Sequence, residues 1–301
     1  MLDWILSESF LVNVIAYAIP IIFASYASLI SNKAGISAIN IEGAMSVAAV
    51  TGALVSHFAN SWVIGLTCAM AAGILMMMLL ALSALKLKAD SFLSGIALNT
   101  FATGACLLIV KGVLDGRTDS STAPSVLVPN VEIPLLSEIP VIGKAIFSQN
   151  LLFFIMLAVL ILLIVLLNST RLGVQIKTAG YHHEAGESVG VSTRKTRVIA
   201  LIICGAMAGL GGAYLSMANL GYFSAGMVSG RGFIGIAAEA MGAGMPVKTT
   251  LFALLFGAVD YFAVGGQTVL SFPYELLNTL PYLMTLLALT IYAAAHNKKK
   301  N

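Results

Sequence analysis

The sequence predicts an all-α, polytopic membrane protein of about eight to ten transmembrane helices, some of them short, broken or re-entrant. Three observations carry that expectation. Of 301 residues, 59% are hydrophobic, above the roughly 45–50% of soluble domains. Only 10% are Asp, Glu, Lys or Arg, against about 25% in soluble domains. Sixteen basic and 13 acidic side chains are too few to coat a soluble body of this size. Long apolar runs also recur at a spacing that suits spans of roughly 20 residues. This excludes a soluble enzyme, a secreted binding domain, a disordered chain and a nucleic-acid module. Residues 1–301 are read as a single transmembrane domain.

The apolar runs lie at about 10–30, 43–58, 61–85, 91–113, 150–168, 198–220, 232–244, 249–264 and 275–295. The residues before the first run, Met1 to Glu8, are acidic and lack the basic region of a signal peptide, so that run is expected as a retained helix. Runs two and seven are short and rich in Gly and Ala, as broken or re-entrant helices require, because close-packed protein must satisfy their backbone. In run six, Gly205, Gly209 and Ala213 form one row of small residues, and Ala208, Gly212 and Ser216 form another. Such rows let helix backbones approach. Cys68, Cys106 and Cys204 lie inside apolar runs and read as small buried hydrophobes.

Orientation follows from Lys and Arg. With 169–197 taken as cytoplasmic and the spans alternating, one side holds Lys33, Lys86, Lys88, Arg171, Lys177, Arg194, Lys195, Arg197, Lys248, Lys298, Lys299 and Lys300. The other holds Lys111, Arg117, Lys144 and Arg231. This asymmetry puts the C-terminus in the cytoplasm of a cell-membrane protein.

Two connections are long. That at about 114–149 carries Pro124, Pro129, Pro134 and Pro140, which break helices and predict an ordered, extended external loop. That at about 169–197 is polar and free of proline. It is expected to hold a short helix from Glu184 to Val189 ended by Gly190, and reads either as tethering or as a docking surface.

No Walker A pattern, HExxH, GxSxG or metal-spaced His/Cys cluster is present. The sequence thus predicts no ATPase site, catalytic residue, metal or cofactor of its own. Acids at membrane depth are costly and usually face a bundle interior, a cavity or a partner. Glu42 opens run two, Glu239 sits in run seven and Asp260 lies late in run eight, while Asn99 adds an amide to run four. They either hydrogen-bond between helices or line a polar pathway, with Glu239, among Ala and Gly, the first candidate for the pathway. IEGAM (41–45) and AEAMGAG (238–244) each place small residues and a Met after an acid. On the derived topology they run in opposite directions, as an inverted repeat would.

The segments Arg171-Leu-Gly-Val-Gln-Ile-Lys-Thr-Ala-Gly180, AGESVGV (185–191), SMANL, GRGFIGIAAEAMG and LPYLMTLLAL resemble ABC importer permeases. The branch is the branched-chain amino acid, ribose and nucleoside type, and within it the simple-sugar/nucleoside group. The likeness runs from about Gly35 to Ala288. It implies a permease subunit working in the lipid bilayer beside a second permease, driven by a cytoplasmic ATPase dimer. An external lipoprotein or periplasmic binding protein would deliver the small-molecule solute; no nucleic acid is involved. The resemblance makes Glu184, Ala185, Gly186, Glu187, Ser188, Val189 and Gly190, flanked by Arg194, the helix that couples to the ATPase. Where the family commonly reads NxGxEG, this chain has Ala38-Ile-Asn-Ile-Glu-Gly43, and it has Glu239 where an apolar residue is often seen. A nucleoside is the favoured solute and a simple sugar the next, with Asn40, Glu42, Asn99 and Glu239 to bind a ribose-like polyol. Phe92 or Phe101 would stack on a base. The readings from other classes are a proton-coupled secondary transporter using Glu42, Glu239 or Asp260, and a membrane scaffold that moves nothing.

Overall fold

A computed structural model describes residues 8–132, 148–181, 183–188 and 190–268, with residues 279, 283, 284, 286 and 290. The run at 275–295 lies almost wholly outside the described residues, as do Pro134, Pro140, Lys144, Val189 and the Lys298–Lys300 tail.

The order of elements is α1 (Glu8–Lys33), α2 (Ile41–Ala59), α3 (Trp62–Ala81), α4 (Ser91–Val113), β1 (Asn130–Glu132), β2 (Ser148–Asn150), α5 (Leu151–Ser169), α6 (Arg171–Tyr181), α7 (His183–Ser188), α8 (Thr193–Tyr214), α9 (Arg231–Met241) and α10 (Pro246–Gly265). A π-helical turn extends α3 to Lys86 and another extends α8 to Asn219. Local chemistry sets several ends. Asp90 accepts from Leu93 N at 2.9 Å to cap α4, and Asn150 accepts from Leu152 N at 3.0 Å to cap α5. Asn60, left-handed at φ 48°, stops α2, and Pro246 opens α10 where no amide donor is needed.

Among the described residues, seven helices (α1 to α5, α8 and α10, with the π turns) are long and apolar enough to cross a membrane. The second is a correction: the run read as too short is a 19-residue helix, because Asn40, Ile41 and Glu42 are drawn into the helix start. α9, at 11 residues, rises only about 16 Å and does not cross.

α1 is the spine, buried almost continuously from Ala18 to Ile30. α8 packs against it and against α2 and α3 through glycines. A Cβ on Gly205 would lie 2.5 Å from Ile74 Cα, and one on Gly209 2.7 Å from Met70 Cα. Gly212 abuts the Met45 carbonyl instead. The two rows of small residues, expected on one side of the span, serve different neighbours, α3 and α2. Around this core, α4, α5 and α10 turn apolar side chains outward, among them Phe101, Leu108, Ile161, Leu162 and Leu251. A soluble protein would not expose such faces.

The bundle has two distinct ends. At the basic end, Arg197 donates to Ala34 O (3.2 Å) and Ala179 O (2.9 Å), stapling the end of α1 to α6. At the other end the proline-bearing stretch runs extended over the bundle. Ser120 N donates to Phe223 O and Ser125 N to Gly221 O, both at 2.8 Å, and His57 Nδ1 lies 2.9 Å from Pro124 O. There, hydrogen bonds from the Ser121 hydroxyl and amide hold the Asp119 carboxyl below the usual carboxylate range.

Candidate functional site: a polar cavity where two helices begin

Residues 36–40 carry the chain from the basic end into the bundle, where Ile36, Ala38 and Asn40 are buried. Backbone entering an apolar interior must find hydrogen-bond partners, and polar side chains supply them. Asn40 Nδ2 donates to Met76 O at 3.2 Å, well inside α3. Asn99, about 12 Å along α4, donates from Nδ2 to Ile39 O at 3.0 Å and accepts from Gly43 N at 2.8 Å. One amide thus bridges both sides of the turn that starts α2.

Glu42, in the first turn of α2, reaches the first turn of α9. Its Oε1 accepts from Gly230 N at 2.8 Å and its Oε2 from Gly232 N at 2.7 Å. A helix start leaves amide donors unsatisfied and carries partial positive charge, and α9 has no capping side chain of its own. A carboxylate from 190 residues away does that work. Two glycines make it possible. Gly230 sits at φ +80°, and a Cβ on Gly232 would lie 2.8 Å from Glu42 Cα.

Beside this junction lies a cavity of about 560 Å³, lined by Glu42, Gly43, Ser46, Asn99, Thr100, Thr103, Cys106, Phe223, Ser229 and Phe233 among others. That size suits a small organic solute. Ser46, Thr100 and Thr103 spend their protons on carbonyls one turn back, at 3.0–3.2 Å, leaving oxygen lone pairs to accept. Sequence reasoning missed Ser46, Thr100, Thr103, Phe223 and Phe233. The first three had a signal: Thr100 and Thr103 continue the polar face of Asn99 along α4, and Ser46 follows Glu42 by one turn. The two phenylalanines had none, since only the fold brings them to the cavity wall.

Of the residues named from sequence, Glu42 and Asn99 meet at this cavity. Asn40 is fully buried next to it, its Oδ1 without a partner. Phe92 and Phe101 are exposed on α4 and do not line it. Glu239 lies elsewhere, at the far end of α9, where Asn32 Nδ2 (2.6 Å) and Ser28 Oγ (3.4 Å) donate to it. IEGAM and AEAMGAG therefore occupy opposite ends of their helices and are not equivalent places. Arg231, counted from sequence as an outer-loop charge, is instead part-buried against Asp260, with contacts of 3.0 and 2.9 Å, and lies 5.5 Å from the Tyr17 ring. Among the described residues no group of three or more His, Cys, Asp or Glu is placed to hold a metal.

The 169–197 connection is more ordered than its composition suggested. α6, unforeseen as a helix, buries Gly173, Ile176 and Ala179 along one face, and Gly173 and Gly180 meet the backbones of Leu166 and Lys33. The short helix spans His183–Ser188, and Val191 N returns to Gly186 O at 2.9 Å through the left-handed Gly190. Gly186 is buried, while Glu184, Glu187, Ser188, Gly190 and Arg194 are exposed; the Ala185 side chain and Val189 lie outside the described residues. Thr193 Oγ1 donates to Glu187 Oε1 at 2.6 Å. Tyr181, which ends α6, accepts from Lys33 Nζ at 3.2 Å, so this module touches the same last turn of α1 that holds Glu239 of α9.

The chain is similar to known transporter permeases. The chain is 33% identical to the guanosine ABC transporter permease protein NupQ of Bacillus subtilis (strain 168), over 92% of this chain and 89% of that protein. It is 31% identical to the nucleoside ABC transporter permease protein NupC of Lactococcus lactis subsp. cremoris (strain MG1363), over 93% and 90%. It is 28% identical to the putative glucose ABC transporter permease protein TsgC13 of Haloferax volcanii, over 84% and 76%. No solved structure matches the chain. The model of the permease component of the branched-chain amino acid transport system matches residues 10–289, and the chain, a multi-pass membrane protein, belongs to that permease family.

Proposed function

We propose that this chain is the membrane-spanning permease subunit of an ATP-driven importer that moves a nucleoside, by alternating access, through the Glu42–Asn99 cavity. The observation that carries this is a cavity with carboxylate, amide and hydroxyl oxygens inside a bundle of apolar helices, in a chain whose similar proteins include guanosine and nucleoside permeases. Acceptors lining the cavity suit the hydroxyls of a ribose. Phe223 and Phe233, rather than Phe92 or Phe101, are the aromatic rings at hand for a base.

In this reading the basic end is cytoplasmic, with the C-terminus on the same side, and the α6–α7 module docks an ATPase dimer. The exposed face of α4 packs on a second permease subunit, and the proline-bearing end receives solute from an external binding protein. A motor can shift the equilibrium of the bundle only through contacts that differ between its states. α9 is a suitable carrier of that change. One of its ends is held to Asn32, beside the Lys33–Tyr181 contact of the docking module, and the other is held by Glu42 at the cavity.

The acids favour a motor over proton coupling. Asp260 is ion-paired to Arg231, and both Glu42 oxygens cap α9. The test is reconstitution in vesicles with the ATPase, second permease and binding protein, offering labelled guanosine, adenosine, ribose and glucose. ATP-dependent uptake of a nucleoside is expected. Uptake that runs without the ATPase on a proton gradient would overturn the reading, and uptake of glucose or ribose alone would replace the nucleoside with a sugar.

A further inference from the structure

At the basic end, between α5 and α6 on one side and the start of α10 on the other, lies a groove of about 540 Å³ that the transport cycle described above does not use. Lys33, Lys177 and Lys248 line it from α1, α6 and α10, together with Asn168 of α5. Its remaining wall is apolar: Ile164, Leu167, Met245, Pro246 and Val247. α10 opens here with Pro246 at its first position, so the positive end of a 20-residue helix dipole adds to the three ammonium groups. The nearby carboxylate, Glu239, is not part of the lining; Asn32 and Ser28 hydrogen-bond it and Lys33 offsets its charge, which leaves Lys177 and Lys248 as the cations that face the groove.

Charge of one sign above an apolar floor is the chemistry of an amphiphile. Both flanking helices carry exposed apolar side chains within about two turns of the groove, Ile161, Leu162 and Val165 of α5 and Leu251, Leu254 and Leu255 of α10, where acyl chains would lie. A soluble anion would gain nothing from Val247 and Met245, which are half exposed at the groove. We propose that this groove binds the headgroup of an anionic phospholipid. Lys177, Lys248 and the α10 start hold its phosphate, and its chains run down the α5 and α10 faces. Basic pockets between membrane helices recognise such headgroups. Because Lys177 belongs to the α6–α7 module and Lys248 to α10, the bound lipid ties that module to a helix it otherwise barely meets.

The test is native mass spectrometry of the complex of this permease with its partner subunits, purified from membranes and titrated with phosphatidylglycerol. One phosphatidylglycerol is expected to persist per copy of this chain. The double variant Lys177→Gln/Lys248→Gln should weaken that binding roughly thirtyfold, at about a factor of five per lysine. Lys86→Gln/Lys88→Gln, at the same end but outside the groove, should leave it unchanged. Should the double variant fail to assemble, Lys248→Gln alone, on an exposed side chain, should still show the fivefold loss. Four results would each overturn the proposal. They are equal binding of phosphatidylcholine, equal loss in the Lys86/Lys88 control, displacement of the lipid by millimolar inorganic phosphate, and binding to the isolated permease that vanishes in the complex.

Discussion

Removing the Glu42 carboxylate should release the start of α9, and the size of the effect follows from the hydrogen bonds it makes. Glu42→Ala leaves the Gly230 and Gly232 amides, bonded at 2.8 and 2.7 Å, without their acceptor. An unsatisfied buried donor costs about 1–3 kcal/mol. The adjoining cavity admits water, so the lower figure applies to each, about 2 kcal/mol in all. Local opening of α9 should then be roughly thirtyfold more frequent, since about 1.4 kcal/mol is a factor of ten. Glu42→Gln keeps one acceptor oxygen and should cost about half as much, near fivefold. Hydrogen–deuterium exchange read by mass spectrometry on peptides covering 228–238 measures this directly. The peptides of α3 and α8, which Glu42 does not touch, serve as internal controls. Unchanged exchange in the Ala variant, or equal acceleration across the whole protein, would refute the claim that Glu42 caps α9.

Further outcomes test the packing and the α6–α7 module. Gly209→Val would drive side-chain atoms into the α3 backbone at Met70 and Ala69 and should abolish monodisperse behaviour in size-exclusion chromatography. Gly112→Leu, at a site with open space around it, should express as well as the parent. Arg231→Gln leaves the part-buried Asp260 without its cation and should lower stability by about 1–3 kcal/mol. Replacing both by Met should restore most of it in a thermal-unfolding double-mutant cycle, and additive losses would count against an isolated pair. Gly186→Trp, whose Cβ would start 2.9 Å from Thr178 Cγ2, should disturb the seating of α7 and separate ATP hydrolysis from uptake in the reconstituted complex; undiminished uptake by a well-expressed variant would remove α7 from the coupling route.

How far the sequence could be read differs from place to place for physical reasons. Apolar runs of span length have one outlet, the bilayer, so the all-α membrane class and most spans were legible from composition and spacing alone. The small-residue rows of run six also announced close helix packing, though not that α3 and α2 each take one row. The start of α2 was misjudged because Asn40 and Glu42 look like loop residues, and only the bond Asn40 donates to Met76 O and those Glu42 accepts from the start of α9 let them sit at depth. Arg231 and α6 were misread in the same way: a charge beside glycines resembles a loop, and a polar amphipathic stretch resembles a linker, until a partner is supplied by another part of the chain.

Local order in the sequence therefore determined what is apolar, what can cross a membrane and where basic charge collects. Which acid meets which helix was settled only by tertiary structure. Glu42 and Glu239 have similar neighbours in sequence, yet one caps α9 at a cavity and the other is bonded to the last turn of α1. Burial energy depends on the kind of side chain and can be read one residue at a time. A hydrogen bond in an apolar interior depends on a partner nearly 200 positions away, and only the folded chain brings the two together.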